Sequence, residues 1–319
     1  MTTDEAGRAT REAGAGDEES GKASTVAAFL ANIGIAAAKF VAWAVTGSAS
    51  MLAEGVHSAA DSANQGLLLW GRHRSHQDPT HSHPFGFGRE RYFWAFVVAM
   101  LLFSAGSLFA LVEGEEKLRH PHEVTSYPWA AGVLGVAVVL EALSLCTAVK
   151  ESRTHKRADE SWREFVHRTT VPELAVVLLE DTGALLGLVF ALAGTTAAEV
   201  TGNARFDAIG SLAIGVLLGG IAITLAVEMK SLLIGESAGR SEVEAIRRAI
   251  SSEPTAREIT DLRTEHLGPE DLLVVGDVAF EAQTALDLEA AMTRAEDRIR
   301  QQVPKVRLVY LRARVSSGS

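Results

Sequence analysis

Four residues combine metal-binding chemistry with an apolar setting. His57 and Asp61 stand four apart in MLAEGVHSAADSANQGLLLW, a spacing that puts both on one face of a helix. Glu180 and Asp181 are neighbours in VVLLEDTGALLG. Imidazole nitrogen with carboxylate oxygen suits zinc. Ionisable side chains inside a membrane are costly, and they mark either function or a specific pairing. The plainer alternative is that the four only pair across helix interfaces. Three or four ligand-type residues at one depth favour a metal site over that alternative.

The elements that must carry them are six apolar blocks, near 25–48, 50–70, 93–112, 128–149, 172–196 and 205–227. The chain has 319 residues, 47% of them hydrophobic, and the apolar ones gather before residue 230. About 20 apolar residues cross a bilayer, and a helix satisfies its own backbone there. At about 1.5 Å per residue, Asp61 lies roughly 16 Å from the outer end of its block and Asp181 roughly 13 Å from the inner end of its own. Both depths are near the midplane. The first block follows a polar stretch and lacks a cleavage site, so it is expected to span rather than to be a signal peptide. The single cysteine, Cys146, allows neither a disulfide framework nor a thiolate metal site. The net charge of −10 asks for no nucleic-acid partner.

Lys and Arg set the expected orientation. The loop between blocks two and three carries Arg72, Arg74, Arg89 and Arg91, and that between four and five carries Lys150, Arg153, Lys156, Arg157, Arg163 and Arg168. Lys117 and Arg119, between three and four, are outweighed by Glu113, Glu115, Glu116 and Glu123. Both termini are therefore expected on the cytoplasmic side. Residues 1–22 read as a disordered tail and 23–230 as the membrane domain. Residues 236–315 read as a small α+β cytoplasmic domain, with helices over 240–251 and 285–301 and strands over 257–265, 271–281 and 305–314. Such a domain is short of a self-sufficient core and is expected to dimerise.

Other polar residues carry weaker signals. Asn32 and Lys39 share a face of block one, where a structural role is favoured. Glu141 in block four suits either an ion path or a helix contact. Glu54 lies one turn before His57. Asp207 opens block six, where an acid can cap the helix N-terminus. His73, His76, His81 and His83 form a loose loop cluster able to bind metal weakly. HPFGFGRERYFW reads as an ordered loop with Arg89 and Arg91 as inner anchors.

The stretches TGSASMLAEGVHSAADSANQGLLLWG, HPFGFGRERYFWAFVVA, VLLEDTGALLG, TGNARFDAIGSLAIGVLLGG and LLIGESA resemble the cation diffusion facilitator family over about residues 25–313. Their wording is most similar to the branch that includes the mitochondrial-type zinc transporters. No transit peptide is evident and bacterial members of that branch exist, so a bacterial inner membrane is expected. The resemblance implies an all-α six-helix transmembrane domain followed by a ferredoxin-like, metallochaperone-like cytoplasmic domain, assembled as a homodimer. It implies export of Zn2+ or a similar divalent ion, usually in exchange for protons, at a site of two residues on helix two and two on helix five. His57 and Asp61 match the first pair and Asp181 the last position. The remaining position falls on Val177, which cannot ligate, leaving Glu180, a water or another membrane residue to complete the set. The family's cytoplasmic metal positions fall on Thr260, Gly276, Leu311 and Ala313, none a good ligand. His266 is the one histidine of that domain and is expected to be a surface or packing residue.

Two readings compete with zinc export. One is export of Fe2+, Co2+ or Mn2+, which a histidine with two or three acids could also hold. The other is a membrane metal-binding or sensor protein without turnover. No nucleophile–base set or phosphate loop points to an enzyme.

Overall fold

The structure, a computed structural model, describes Ile33, Gly34, Ala37, Phe40, Val41, Ala44 and residues 49–121 and 127–315. The side chains of 49–58, 60, 61, 102, 103, 129, 130, 133 and 315 lie outside that description. So do the expected tail over 1–22, most of block one with Asn32 and Lys39, and Glu123. The chain divides into two units at Leu69/Trp70, and each is described by itself.

In the first unit the described positions between 33 and 44 are helical. Helix α1, Ala49–Ser75, begins there and runs into the second unit, ending on Arg72, His73 and Arg74 in its last turn. Cations are favourable at that end of the helix dipole. Ser62, Asn64 and Leu68 are buried.

The second unit contains the other long helices. A span over Glu90–Arg119 comprises α2 (Glu90–Val98), a π-helical turn over Ala99–Phe103 and α3 (Ser104–Arg119). Then follow α4 (Tyr127–His155), the short α5 (Trp162–Arg168), α6 (Pro172–Thr201) and α7 (Arg205–Ile234). The expected blocks were shorter because they stopped where polar residues began, while the helices run on past the apolar core. Among the described residues three helices are long and apolar enough to cross a membrane: Glu90–Arg119, Pro172–Thr201 and Arg205–Ile234.

Sequence chemistry sets the ends of α6. Pro172 occupies its first turn, where a missing N–H costs nothing. Gly202 ends it with φ +66°, a conformation that a Cβ disfavours. Side by side, α6 and α7 approach backbone to backbone. A Cβ on Gly194 would lie 2.9 Å from the Phe206 carbonyl oxygen, and one on Gly210 would lie 2.9 Å from that of Phe190. Small residues permit this contact where lipid gives helices no hydrophobic drive to associate. On α4 the stripe Val136, Val139, Leu140, Leu143 is 60–62% exposed. Ala148 and Ser152 of the same helix are buried.

After α7 come α8 (Arg240–Ser251), β1 (Ala256–Gly268), β2 (Asp271–Phe280), α9 (Ala285–Gln302) and β3 (Val306–Val315). The sheet order is β1-β2-β3. The β1–β2 pair is an antiparallel hairpin closing at Gly268↔Asp271. The β2–β3 pair is parallel, joined by the α9 crossover that parallel strands require. Alternate β2 residues Leu272, Val274, Val278 and Phe280 pack with Ile246, Ile250, Ala295 and Ile299 from the two helices. The ferredoxin-like expectation is thus met in part, by a mixed sheet of three strands among the described residues. Along β1, the segment 235–239 lends two bonds: the Glu236 carbonyl accepts from His266 N–H (2.8 Å), and Ala238 N–H donates to Thr264 Oγ1 (2.9 Å).

Candidate metal centre and the seam with the C-terminal sheet

Helix α6 carries Asp181 nine residues in from Pro172, roughly 13 Å along its axis. Its side chain is 8% exposed. Ser144 of α4 donates its hydroxyl to Asp181 Oδ2 at 3.0 Å. Glu180 and Val177 are half-buried on the same helix. Val177 is one turn before Asp181 and shares its side of α6, whereas Glu180 points about 100° away. Glu141 is half-buried on α4, close to opposite the exposed aliphatic stripe.

His57 and Asp61 lie together near the middle of α1, on one face as the spacing requires. Their side chains, with that of Glu54, are outside the described residues. Among the described residues no three His, Cys, Asp or Glu side chains form a group that could hold a metal. The structure therefore brings Asp181 to α4, a helix that the sequence had not linked to it. The overlooked residue is Ser144. Its available signal was a hydroxyl away from the stripe of large aliphatics on an otherwise apolar span.

The helix ends next to the C-terminal sheet are tied by charge. Arg91 is almost fully buried and grips Glu173 through Nε and Nη2, both at 2.7 Å. The paired geometry is the strong form of the carboxylate–guanidinium contact. Glu173 stands in the first turn of α6, where its charge also suits the helix dipole. Arg91 Nη1 lies 3.9 Å from Glu270 in the β1–β2 turn. Arg89 pairs with Glu265 of β1. Gly88 abuts Gly268, and a Cβ at Gly88 would fall 2.5 Å from the Leu267 carbonyl oxygen. HPFGFGRER is therefore an ordered loop docked on the C-terminal sheet, with Arg89 and Arg91 both paired to carboxylates.

The basic loop before α6 folds on itself. Ser161 caps α5 in a reciprocal box with Glu164. Arg168 donates to Glu160 (2.5 and 2.9 Å), and that bond holds the Glu160 carboxyl down at about 2. Arg157 reaches Ser241 of α8 at 2.7 Å. Between this loop and the C-terminal domain lies a cleft of about 670 Å³ that His266 helps to line. His266 is 2% exposed, and burial lowers its proton affinity. It is a packing residue, one of the two roles expected of it.

Other expectations resolve individually. Asp207 sits in the first turn of α7 but makes no side-chain cap; the N-cap is Ala204. Its carboxylate instead accepts from Lys117 (3.0 Å) and Thr195 (3.1 Å). A cation from a neighbouring helix outcompeted the local N–H groups. In the loop, His76 Nδ1 lies 2.6 Å from the Arg72 carbonyl oxygen, and His83 packs on Phe87 with ring centroids 4.6 Å apart. His76 and His83 thus have local partners.

Residues 25–234 match the model of the cation efflux transmembrane domain. The chain belongs to the cation diffusion facilitator family, and it is a membrane protein. It is 36% identical over 250 residues to the human mitochondrial proton-coupled zinc antiporter SLC30A9, covering 78% of this chain and 43% of that one. It is 30% identical over 283 residues to Arabidopsis thaliana metal tolerance protein C4, covering 88% and 62%. It is 31% identical over 259 residues to the cation-efflux pump FieF of Serratia proteamaculans, covering 81% and 80%. The match thus spans less than half the length of the human relative.

Proposed function

We propose that this protein exports a divalent metal cation from the cytoplasm, Zn2+ foremost, in exchange for protons. The carrying observation is a carboxylate, Asp181, buried in a membrane-spanning helix. A relative named as a zinc antiporter and another named as a cation-efflux pump support the assignment. The proposed ligands are His57 and Asp61 on α1 and Asp181 on α6, with Glu180 or a water in the place that Val177 cannot fill. Residues 23–230 form the six-helix membrane domain. Residues 236–315 form a cytoplasmic dimerisation domain, with both termini on that side of a bacterial inner membrane.

The chemistry follows from the donor set. Two or three carboxylates offset the charge of a divalent ion that lipid would otherwise reject. His57 ligates only when neutral and takes a proton when the metal leaves. Metal release on the far side and proton uptake are then one event at His57, Asp61 and Asp181. Alternating exposure of the site to the two sides completes the cycle.

Val177 favours a second reading, a membrane metal sensor that binds without turnover. One experiment separates the two: uptake of Zn2+, Fe2+, Co2+ and Mn2+ into inside-out vesicles, with internal pH followed. Zinc accumulation with proton efflux from the lumen is expected. Binding without accumulation in the presence of a pH gradient would leave only the sensor.

A further inference from the structure

We propose that a groove along α2, α3 and α7 holds an anionic phospholipid, its chain between the helices and its phosphate at Lys230. The groove has a volume of about 270 Å³. Phe96, Met100 and Ser104 line one side, and Ala222, Ala226 and Lys230 the other. Both sides belong to spans long and apolar enough to cross a membrane. The large side chains along it, Met100, Ile223 and Val227, are exposed. None of the proposed metal ligands takes part.

Towards the C-terminal sheet the groove leads to a wider cavity of about 900 Å³, which Phe93 and Leu233 help to line. Phe93 stands three residues from Phe96, and Leu233 three from Lys230, so each pair shares one side of its helix. From Phe93 to Ser104 the line runs roughly 16 Å, about the hydrocarbon depth of one leaflet. Trp70, Phe85 and Trp94 bring aromatic rings to the cavity, and Leu267 and Leu273 close it from the sheet. Aromatic rings at the ends of spans sit at headgroup level in a bilayer.

Charge selects the headgroup. The two arginines of the cavity are answered by its two glutamates, Arg74 by Glu90 (3.5 Å) and Arg89 by Glu265. Lys230 has no carboxylate partner among the described residues. It stands four residues before the end of α7, roughly 6 Å along the axis. Its stem lies along apolar surface while its ammonium reaches the polar boundary. Histidine aside, groove and cavity together therefore carry one surplus positive charge. A lipid phosphate with no amine of its own neutralises it.

The test uses the full chain, stripped of lipid in detergent, with retained lipid read by native mass spectrometry. The probes are phosphatidylglycerol and phosphatidylcholine with the same chains at equal mole fraction, and soluble glycerol phosphate is the competitor. Wild type is expected to retain phosphatidylglycerol about fivefold more readily than phosphatidylcholine, the worth of one lysine at a lipid surface. Lys230→Gln should bring that ratio to about one, and Lys230→Arg should keep it. Ala226→Phe fills the groove and should lower retention of both lipids alike. If that variant folds poorly, the two Lys230 variants still decide, because they alter an exposed side chain. Equal retention of both lipids by wild type, or an unchanged ratio in Lys230→Gln, overturns the proposal. Displacement by glycerol phosphate overturns it too, since the site then reads a free phosphate ester. So does an Ala226→Phe variant that turns dimers into monomers yet retains phosphatidylglycerol like wild type, because the groove then seats a second copy.

Discussion

Two carboxylates on the same helix receive different partners. Glu173, in the first turn of α6, is gripped by both prongs of a guanidinium. Asp181, about two turns deeper, meets α4 through a neutral hydroxyl. A guanidinium orients a carboxylate and also cancels its charge. A hydroxyl only orients it. The first arrangement builds a joint that holds the start of α6 to the start of α2 and the β1–β2 turn. The second joins α6 to α4 through a hydroxyl, which does not itself cancel the charge of the carboxylate. Position alone does not distinguish them, since both sit on one helix and both are substantially buried.

Breaking the deeper contact should have the largest effect. Asp181→Ala is expected to lower initial zinc flux at least about 100-fold, because a divalent ion in the span loses a compensating charge. Asp61→Asn should do the same, since an amide oxygen carries no charge. Glu180→Ala is expected to retain part of the flux, as its side chain points about 100° away from that of Asp181. Vesicle flux at matched membrane levels checks all three. Wild-type rates and metal preference in both Asp61→Asn and Asp181→Ala would end the claim that these acids form the site.

The seam should respond in stability rather than in metal preference. Arg91→Ala leaves Glu173 without its buried partner and is expected to destabilise the fold by about 3 kcal/mol. Arg91→Lys should recover only part of that, because a point charge cannot make the two-pronged contact. Thermal unfolding in detergent measures both. A melting temperature equal to wild type in the alanine variant would show that the joint contributes nothing.

How much of this could be read from the chain depends on how far apart the partners lie in sequence. The helix that carries His57 and Asp61 was legible because its apolar run is long, whereas the two side chains lie outside the described residues. The strands of the C-terminal domain were legible because KVRLVYLRAR and its neighbours alternate, although β1 runs to Gly268 rather than stopping near 265. Its extra residues are held by pairing with β2 as far as the Gly268↔Asp271 closure, a cross-strand fact. The contact Ser144–Asp181 spans 37 residues and Arg91–Glu173 spans 82. No local period encodes either, so Arg91 could be foreseen as an anchor but not its partner. Asp207 shows the same limit, because the local rule suggested a cap and a lysine 90 residues away took the carboxylate.

The smallest expected effect belongs to a third carboxylate, Glu253, which extends the comparison outside the membrane. It closes the end of α8, its side chain fully buried, accepts from Arg294 (2.8 Å) and forms an ion pair with Arg298 Nη1 (3.0 Å) of α9. The Arg294 hydrogen bond is the main reason that its carboxyl is held below the ordinary range. The depressed folded-state value fixes the sign of its pH dependence. The stabilisation is fully present above the unfolded carboxylate value of about 4.3 and is lost as pH falls through the lower folded value. Glu253→Gln keeps the shape and removes the charge, at an expected cost of about 2 kcal/mol near neutral pH. Since the wild type protonates the same group in acid, the gap between the two proteins should shrink as pH drops below that window. Unfolding of the full chain in detergent, followed from pH 7 downward, measures the gap directly. A gap that stays constant into acid would mean that Glu253 acts through shape alone, and that its two arginines add orientation but no charge-dependent stability.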